Sequence, residues 1–137
     1  MKVLGIDYGE KRIGIAISDE TGQFARGLCT LTRKNLSSDF QFIKDIIFRE
    51  RVGGIVIGLP VQFDGTEGIQ CEKVRKFAAR LEKTFQIPIF FIDEVLSSIE
   101  AKEVMSLRPR RSFSKEDTDR VAAAIILQRY LDKLNGV

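Results

Sequence analysis

Apolar and polar positions alternate at the start of this chain in short runs broken by glycine. Lys2-Val-Leu-Gly-Ile-Asp7 ends in a carboxylate, turns at Tyr8-Gly9, passes Lys11 and Arg12, and re-enters an apolar run at Ile13. Runs of this length, rich in β-branched residues and bounded by turn residues, predict strands over 2–7, 13–18 and about 24–32. The Tyr8-Gly9 and Thr21-Gly22 turns make these three strands antiparallel. The period then changes: Phe40, Ile43, Ile46 and Ile47 form a helical stripe over about 38–50, with Ser38 and Gln41 as a capping box and Gly53-Gly54 as its end. Ile55-Val-Ile-Gly-Leu59 is continuously apolar, as expected of a central strand covered on both faces, and Pro60 stops its pairing.

After the loop 61–68, Val74, Phe77, Ala78, Leu81 and Phe85 place one apolar stripe on a helix running to about 85. Its other face carries Lys73, Arg75, Lys76, Arg80 and Lys83, interrupted by Glu72 and Glu82, and reads as solvated surface. Ile87 to Ile92 is a fifth strand. Ser97 with Glu100 opens a short helix, the aperiodic basic segment Arg108-Pro-Arg110-Arg111-Ser-Phe113 follows, and Ser114 with Asp117 caps a last helix reaching about 134. No repeat or linker interrupts the chain, and 137 residues suit one domain, 1–137.

Composition narrows the chemistry. The chain has no His and only two Cys, Cys29 and Cys71, so a zinc site of the usual Cys/His kind and any imidazole-based catalytic device are excluded. Carboxylates and a hard cation remain. Asp7 at a strand end, Glu94 after the run Ile89 to Asp93, and Asp119 in the opening turns of the last helix stand at element edges, as expected of a metal site assembled by folding; oxygen ligands suit Mg2+ or Mn2+. A net charge of +3 permits a polyanionic partner without requiring one. No apolar run approaches a membrane span, and the cysteine usage suits a reducing cytoplasm.

The order strand-strand-strand-helix-strand-helix-strand-helix is that of the RNase H-like fold. Four motifs carry a closer likeness: Gly5-Ile-Asp7-Tyr-Gly9-Glu-Lys-Arg12-Ile-Gly14-Ile-Ala16; Gly58-Leu-Pro60 with Asp64-Gly65-Thr66-Glu67-Gly68; Asp93-Glu94; and Asp119 ahead of Ala122-Ala123 and Ile126-Leu127. Over essentially its full length the chain resembles the YqgF family, also called RuvX, which is similar in fold to the RuvC resolvases and implicated in maturing the 5′ end of 16S rRNA. The resemblance implies an α/β fold with a five-stranded mixed sheet, three antiparallel strands then two parallel, flanked by helices. It also implies a metal-dependent endo- or exonuclease on structured RNA, with Asp7, Glu94 and Asp119 as catalytic and metal-binding acids.

Strand alternation lets one of Asp93 and Glu94 face the site, and the family pattern favours Glu94. Gly9 is expected at positive φ beside Asp7, so that a phosphate backbone can approach, with a simple hairpin glycine as the other reading. Lys11, Arg12 and the cluster Arg108, Arg110 and Arg111 are the candidate nucleic-acid contacts. The sequence departs from the family where an Arg usually follows the Asp-Glu pair: here it is Val95, so either Arg12 or the 108–111 cluster substitutes, or activity is weaker. A Holliday-junction resolvase acting on branched DNA and a non-catalytic nucleic-acid-binding module stay open beside the rRNA-precursor nuclease, as do a monomer and a weak homodimer. An actin-like ATPase would need two related domains.

Overall fold

A computed structural model describes residues 1–62, 64–94 and 114–136. The chain runs β1 (Lys2–Asp7), β2 (Arg12–Ser18), β3 (Ala25–Thr32), α1 (Leu36–Glu50), β4 (Val52–Leu59), α2 (Ile69–Phe85), β5 (Ile89–Asp93) and α3 (Lys115–Leu134). The strands form one sheet in the order β3-β2-β1-β4-β5. β1 pairs antiparallel with β2 and parallel with β4, β2 pairs antiparallel with β3, and β4 pairs parallel with β5. This is the expected mixed sheet, with β1 in the middle.

The strand period of two sorts the side chains onto unlike faces. Leu4, Ile6, Ile13, Ile15, Ile17, Ile55 and Ile57 point to α1 and α2 and meet Ile43, Val74, Phe77 and Leu81 in the larger core. Each fully buried aliphatic side chain there contributes about 1.5–3 kcal/mol. The opposite face carries Gly5, Gly14, Ala16, Val56 and Gly58, and α3 lies on it through Ala123, Ile126 and Leu127. Missing side chains bring that helix close. A Cβ on Gly5 would sit 2.7 Å from Leu127 Cβ, and one on Gly14 would collide with the Asp119 carbonyl.

Boundaries differ from expectation at α1, at its junction with β4, and at β5, which runs Ile89–Asp93 rather than from Ile87. α1 begins at Leu36, with Asn35 as the N-cap: its side-chain oxygen accepts from Ser38 N–H at 2.9 Å. Asn35 caps as well as serine does, and the earlier start lets Leu36 pack on the core. The helix ends through Arg51 in the left-handed region (φ 56°), and Gly53 and Gly54 belong to β4. Burial of Val52 starts the strand ahead of the glycines. Ser114 caps α3 as expected, accepting from Asp117 N–H at 3.1 Å. The short helix opened by Ser97 and Glu100, and the basic segment with Arg108, Arg110 and Arg111, lie outside the described residues.

Candidate active site

Asp7 ends β1 on the α3 face, in register with Gly14 of β2. Because Gly14 has no side chain, the backbone of Asp119 rests directly on it, and a helical acid is seated beside a strand-end acid. Glu94 arrives from the other side: Asp93 is the last residue of β5, paired with Leu59, and the Glu94 N–H donates to the Leu59 carbonyl at 3.1 Å. Alternation then sends the exposed Asp93 and the inward Glu94 to opposite faces. Glu94 reaches over Gly58, where a Cβ would stand 2.6 Å from its Oε2. Asp7 and Glu94 therefore meet at the carboxyl ends of β1 and β5, with Asp119 close by, because Gly58 and Gly14 leave room for Glu94 and Asp119.

Their electrostatics match this crowding. Burial first, then the charge of Glu94 and a hydrogen bond with it, and in smaller share the charge of Asp119, together push the Asp7 carboxyl up to about 8. Asp119 answers to a different partner. Arg12, the first residue of β2, donates from Nε to Asp119 Oδ2 at 2.7 Å. Among the described residues no three acids form a ready-made ligand cluster: Asp7 and Glu94 make a hydrogen-bonded pair, and Asp119 stands beside it, drawn to the guanidinium.

Residues 1–133 match the model of a family described as RuvX, Holliday junction resolvase. The chain belongs to the RuvX family. Among RuvX relatives, the "Putative pre-16S rRNA nuclease" of Syntrophus aciditrophicus (strain SB) is 47% identical over 138 residues, 98% of this chain and 91% of that one. The protein of the same name from Moorella thermoacetica is 42% identical over 142 residues, the whole of both chains. T. thermophilus RuvC in complex with a Holliday junction superposes with a TM-score of 0.63 at 15% identity, covering 99% of this chain and 97% of that one. Fowlpox virus resolvase with its junction gives 0.60 at 13% identity, covering 98% and 99%. These two likenesses establish the RNase H-like fold of the RuvX chain.

Of the residues expected at the RuvX site, Asp7, Glu94, Asp119 and Arg12 come together. Lys11 is exposed in the β1–β2 loop, and its carbonyl accepts from Arg33 N–H at 2.9 Å. Gly9 is a correction: it is absent from the positive-φ glycines, which among the described residues are Gly22, Gly65 and Gly136. Its missing side chain serves another purpose, since a Cβ there would strike the Arg12 carbonyl across the loop. Arg108, Arg110, Arg111 and Val95 fall outside the described residues.

Sequence reasoning passed over Arg33 and Asp39, which fix this loop. Arg33 Nε donates to the buried Asp39 Oδ2 at 3.0 Å, and Nη1 donates to the Gly9 carbonyl at 3.2 Å. Its guanidinium lies 5.0 Å from the Tyr8 ring centroid and 5.5 Å from that of Phe77. A lone Arg between β3 and α1 gives no periodic signal, so only the assembled loop reveals the clamp.

Proposed function

We propose that this RuvX family member is a divalent-cation-dependent nuclease that hydrolyses phosphodiester bonds in structured RNA. Its substrate is the 5′ leader of the 16S rRNA precursor, met in the cytoplasm during ribosome assembly. One arrangement carries the reading: the partly buried, hydrogen-bonded Asp7–Glu94 pair, with Asp119 and Arg12 beside it at the same sheet edge. No helix among the described residues is long and apolar enough to cross a membrane.

The donor set fits Mg2+ or Mn2+. All three acids are hard oxygen donors, and the proton that burial and Glu94 keep on Asp7 marks a place where positive charge is wanted. Asp7, Glu94 and Asp119 would hold the ion. When bound, the cation supplies nucleophilic water near neutral pH and offsets charge on the reacting phosphate. Asp7 would give up its proton to hold the cation, and because the cation supplies the nucleophile near neutral pH no histidine base is needed. Glu94, anchored through its backbone to Leu59, keeps its carboxylate at a fixed height above the sheet. Arg12, once Asp119 has another partner, presents a planar fork suited to a phosphate oxygen pair and stands in for the arginine that Val95 replaces.

The family description and the RuvC-like fold favour one second reading, a resolvase of branched DNA. The test runs both substrates together, an RNA carrying the 16S 5′ leader and a four-way DNA junction, each with magnesium. Asp119→Asn keeps shape and removes one charge; RNA cleavage should fall by at least about 100-fold, while the melting temperature changes by only a few degrees. Normal cleavage by Asp119→Asn would remove it from the catalytic set. Cleavage confined to the junction would establish the resolvase, and wild type inert on both would leave a binding module.

A further inference from the structure

The α1–α2 side of the sheet, away from the acids, carries a feature the active site does not use. Two neighbouring depressions follow the seam between these helices and share Leu36, Phe40's neighbour on α1, and Arg80. The larger, about 660 Å³, has Phe40 and Phe85 in its floor; the smaller, about 200 Å³, has Tyr8 and Phe77. The aromatic rings run on from one to the next, with Tyr8–Phe77, Phe77–Phe40 and Phe40–Phe85 centroids 4.8, 5.7 and 5.8 Å apart. Arg33, Lys44, Lys73, Lys76, Arg80 and Lys83 line the two depressions, and among the described residues no carboxylate does.

Four of these cations stand on α2 at positions 73, 76, 80 and 83. That spacing sets them in a row along one helix flank, beside the buried stripe of Val74, Phe77 and Leu81. At about 1.5 Å per residue the row is about 15 Å long. A stacked single strand advances about 3.4 Å per nucleotide, so the row spans about four nucleotides. Lys73 already meets Glu10 of the β1–β2 loop, which ties the upper end of the row to the loop that follows Asp7. Lys76 lies 3.8 Å from Glu72 in an exposed pair that competing phosphate can displace.

We infer that this groove binds a single-stranded stretch of nucleic acid, whose phosphates follow the α2 cations while bases rest on the half-exposed rings of Phe40 and Phe85. Charge complementarity sets the occupant: six cations line the groove, and although Arg33, Lys73 and Lys76 are paired with Asp39, Glu10 and Glu72, the excess of positive charge carried by Lys44, Arg80 and Lys83 suits a polyanion, and an aromatic floor suits bases, whatever their sequence. The identity of the strand as substrate RNA rests on the nuclease reading. The groove then holds the unpaired leader while its junction with structured RNA lies at the acids. It enlarges the role of a helix flank that sequence alone reads as solvated surface.

The experiment measures binding without cleavage, so that its outcome is separate from the nuclease reading. A fluorescein-labelled oligouridylate of about twelve nucleotides is titrated in EDTA at a series of salt concentrations. Wild type is compared with Lys44→Ala/Arg80→Ala/Lys83→Ala and with a charge-matched control on other surfaces, Arg26→Ala/Arg49→Ala/Lys133→Ala. Single-strand contacts contribute about 0.7 each to the slope of log affinity against log salt, so the groove variant should lose about 2 from that slope, and the control should keep it. The charge-keeping variant Lys44→Arg/Arg80→Lys/Lys83→Arg should restore the slope, which separates lost contacts from lost folding. Equal slopes for groove and control variants, or wild type that does not bind the oligomer, would overturn the groove. Loss of binding together with an RNA-inert wild type would sustain it and reject the nuclease.

Discussion

Replacing Asp7 with Asn should make the cation-free protein more stable, and increasingly so as the pH rises. The folded Asp7 carboxyl is held at about 8, against 3.8 for the ordinary group. Below about pH 4 both folded and unfolded chains carry the proton, and the site costs nothing. Between those values the unfolded chain releases the proton and the folded chain keeps it, so wild-type stability falls as pH rises, by at most about 1.4 kcal/mol per pH unit, and levels off above about 8. The full interval sets a ceiling of about 6 kcal/mol. Because Asp7 and Glu94 share the burden, about half of that, on the order of 3 kcal/mol, is the expected gain for Asp7→Asn at pH 9. A gain of that size raises the melting temperature by roughly 10 °C in a chain of this length. Urea unfolding of both proteins in EDTA at pH 5, 7 and 9 measures it. Wild type should weaken across the series and Asp7→Asn should change less. Parallel curves would show that Asp7 is not held protonated and would refute the electrostatic account of the site.

Two further outcomes follow from the same edge. Arg12→Ala releases Asp119 from its 2.7 Å ion pair; stability should drop by no more than about 1 kcal/mol because the pair is partly exposed, manganese affinity measured calorimetrically should rise, and RNA cleavage should nevertheless fall. Gly14→Ala pushes a methyl into the Asp119 carbonyl; a loss of about 1–3 kcal/mol in urea unfolding, together with a fall in cleavage, is expected, and an unchanged cleavage rate would detach Asp119's position from its role.

The strand order and the helices were legible because each element carries its own period: the alternation of Ile13, Ile15 and Ile17, the stripe of Phe40, Ile43 and Ile47, the unbroken run from Ile55. Those patterns answer to burial, which a single sequence records. Asp7 and Glu94 were legible as acids at the ends of such runs. What escaped depends on atoms meeting across the chain. The turn glycine Gly9 takes its meaning from the Arg12 carbonyl it would strike, not from a left-handed backbone. Arg33 and Asp39 are six residues apart in a loop and a helix start, and their joint hold on Gly9 belongs to no periodicity. The helix start moved from Ser38 to Asn35 for a related reason, since several residues there cap equally well and the packing of Leu36 decides among them.

The unequal covering of the sheet has a consequence for how variants of this protein would fail. Among the described residues, two helices and the bulk of the large aliphatic residues insulate one side, and a single helix, resting on glycines and alanine, closes the other. Truncating Ile15, Ile57 or Leu81 on the thick side leaves the acids in place and chiefly lowers the amount of folded protein, a deficit that overexpression or cooling would repair. Enlarging a small residue on the thin side displaces the acids themselves, and more protein would not restore turnover. Cellular abundance and turnover per molecule are thus written on opposite surfaces of the same five strands, and measuring both for a set of variants would assign each position to its side.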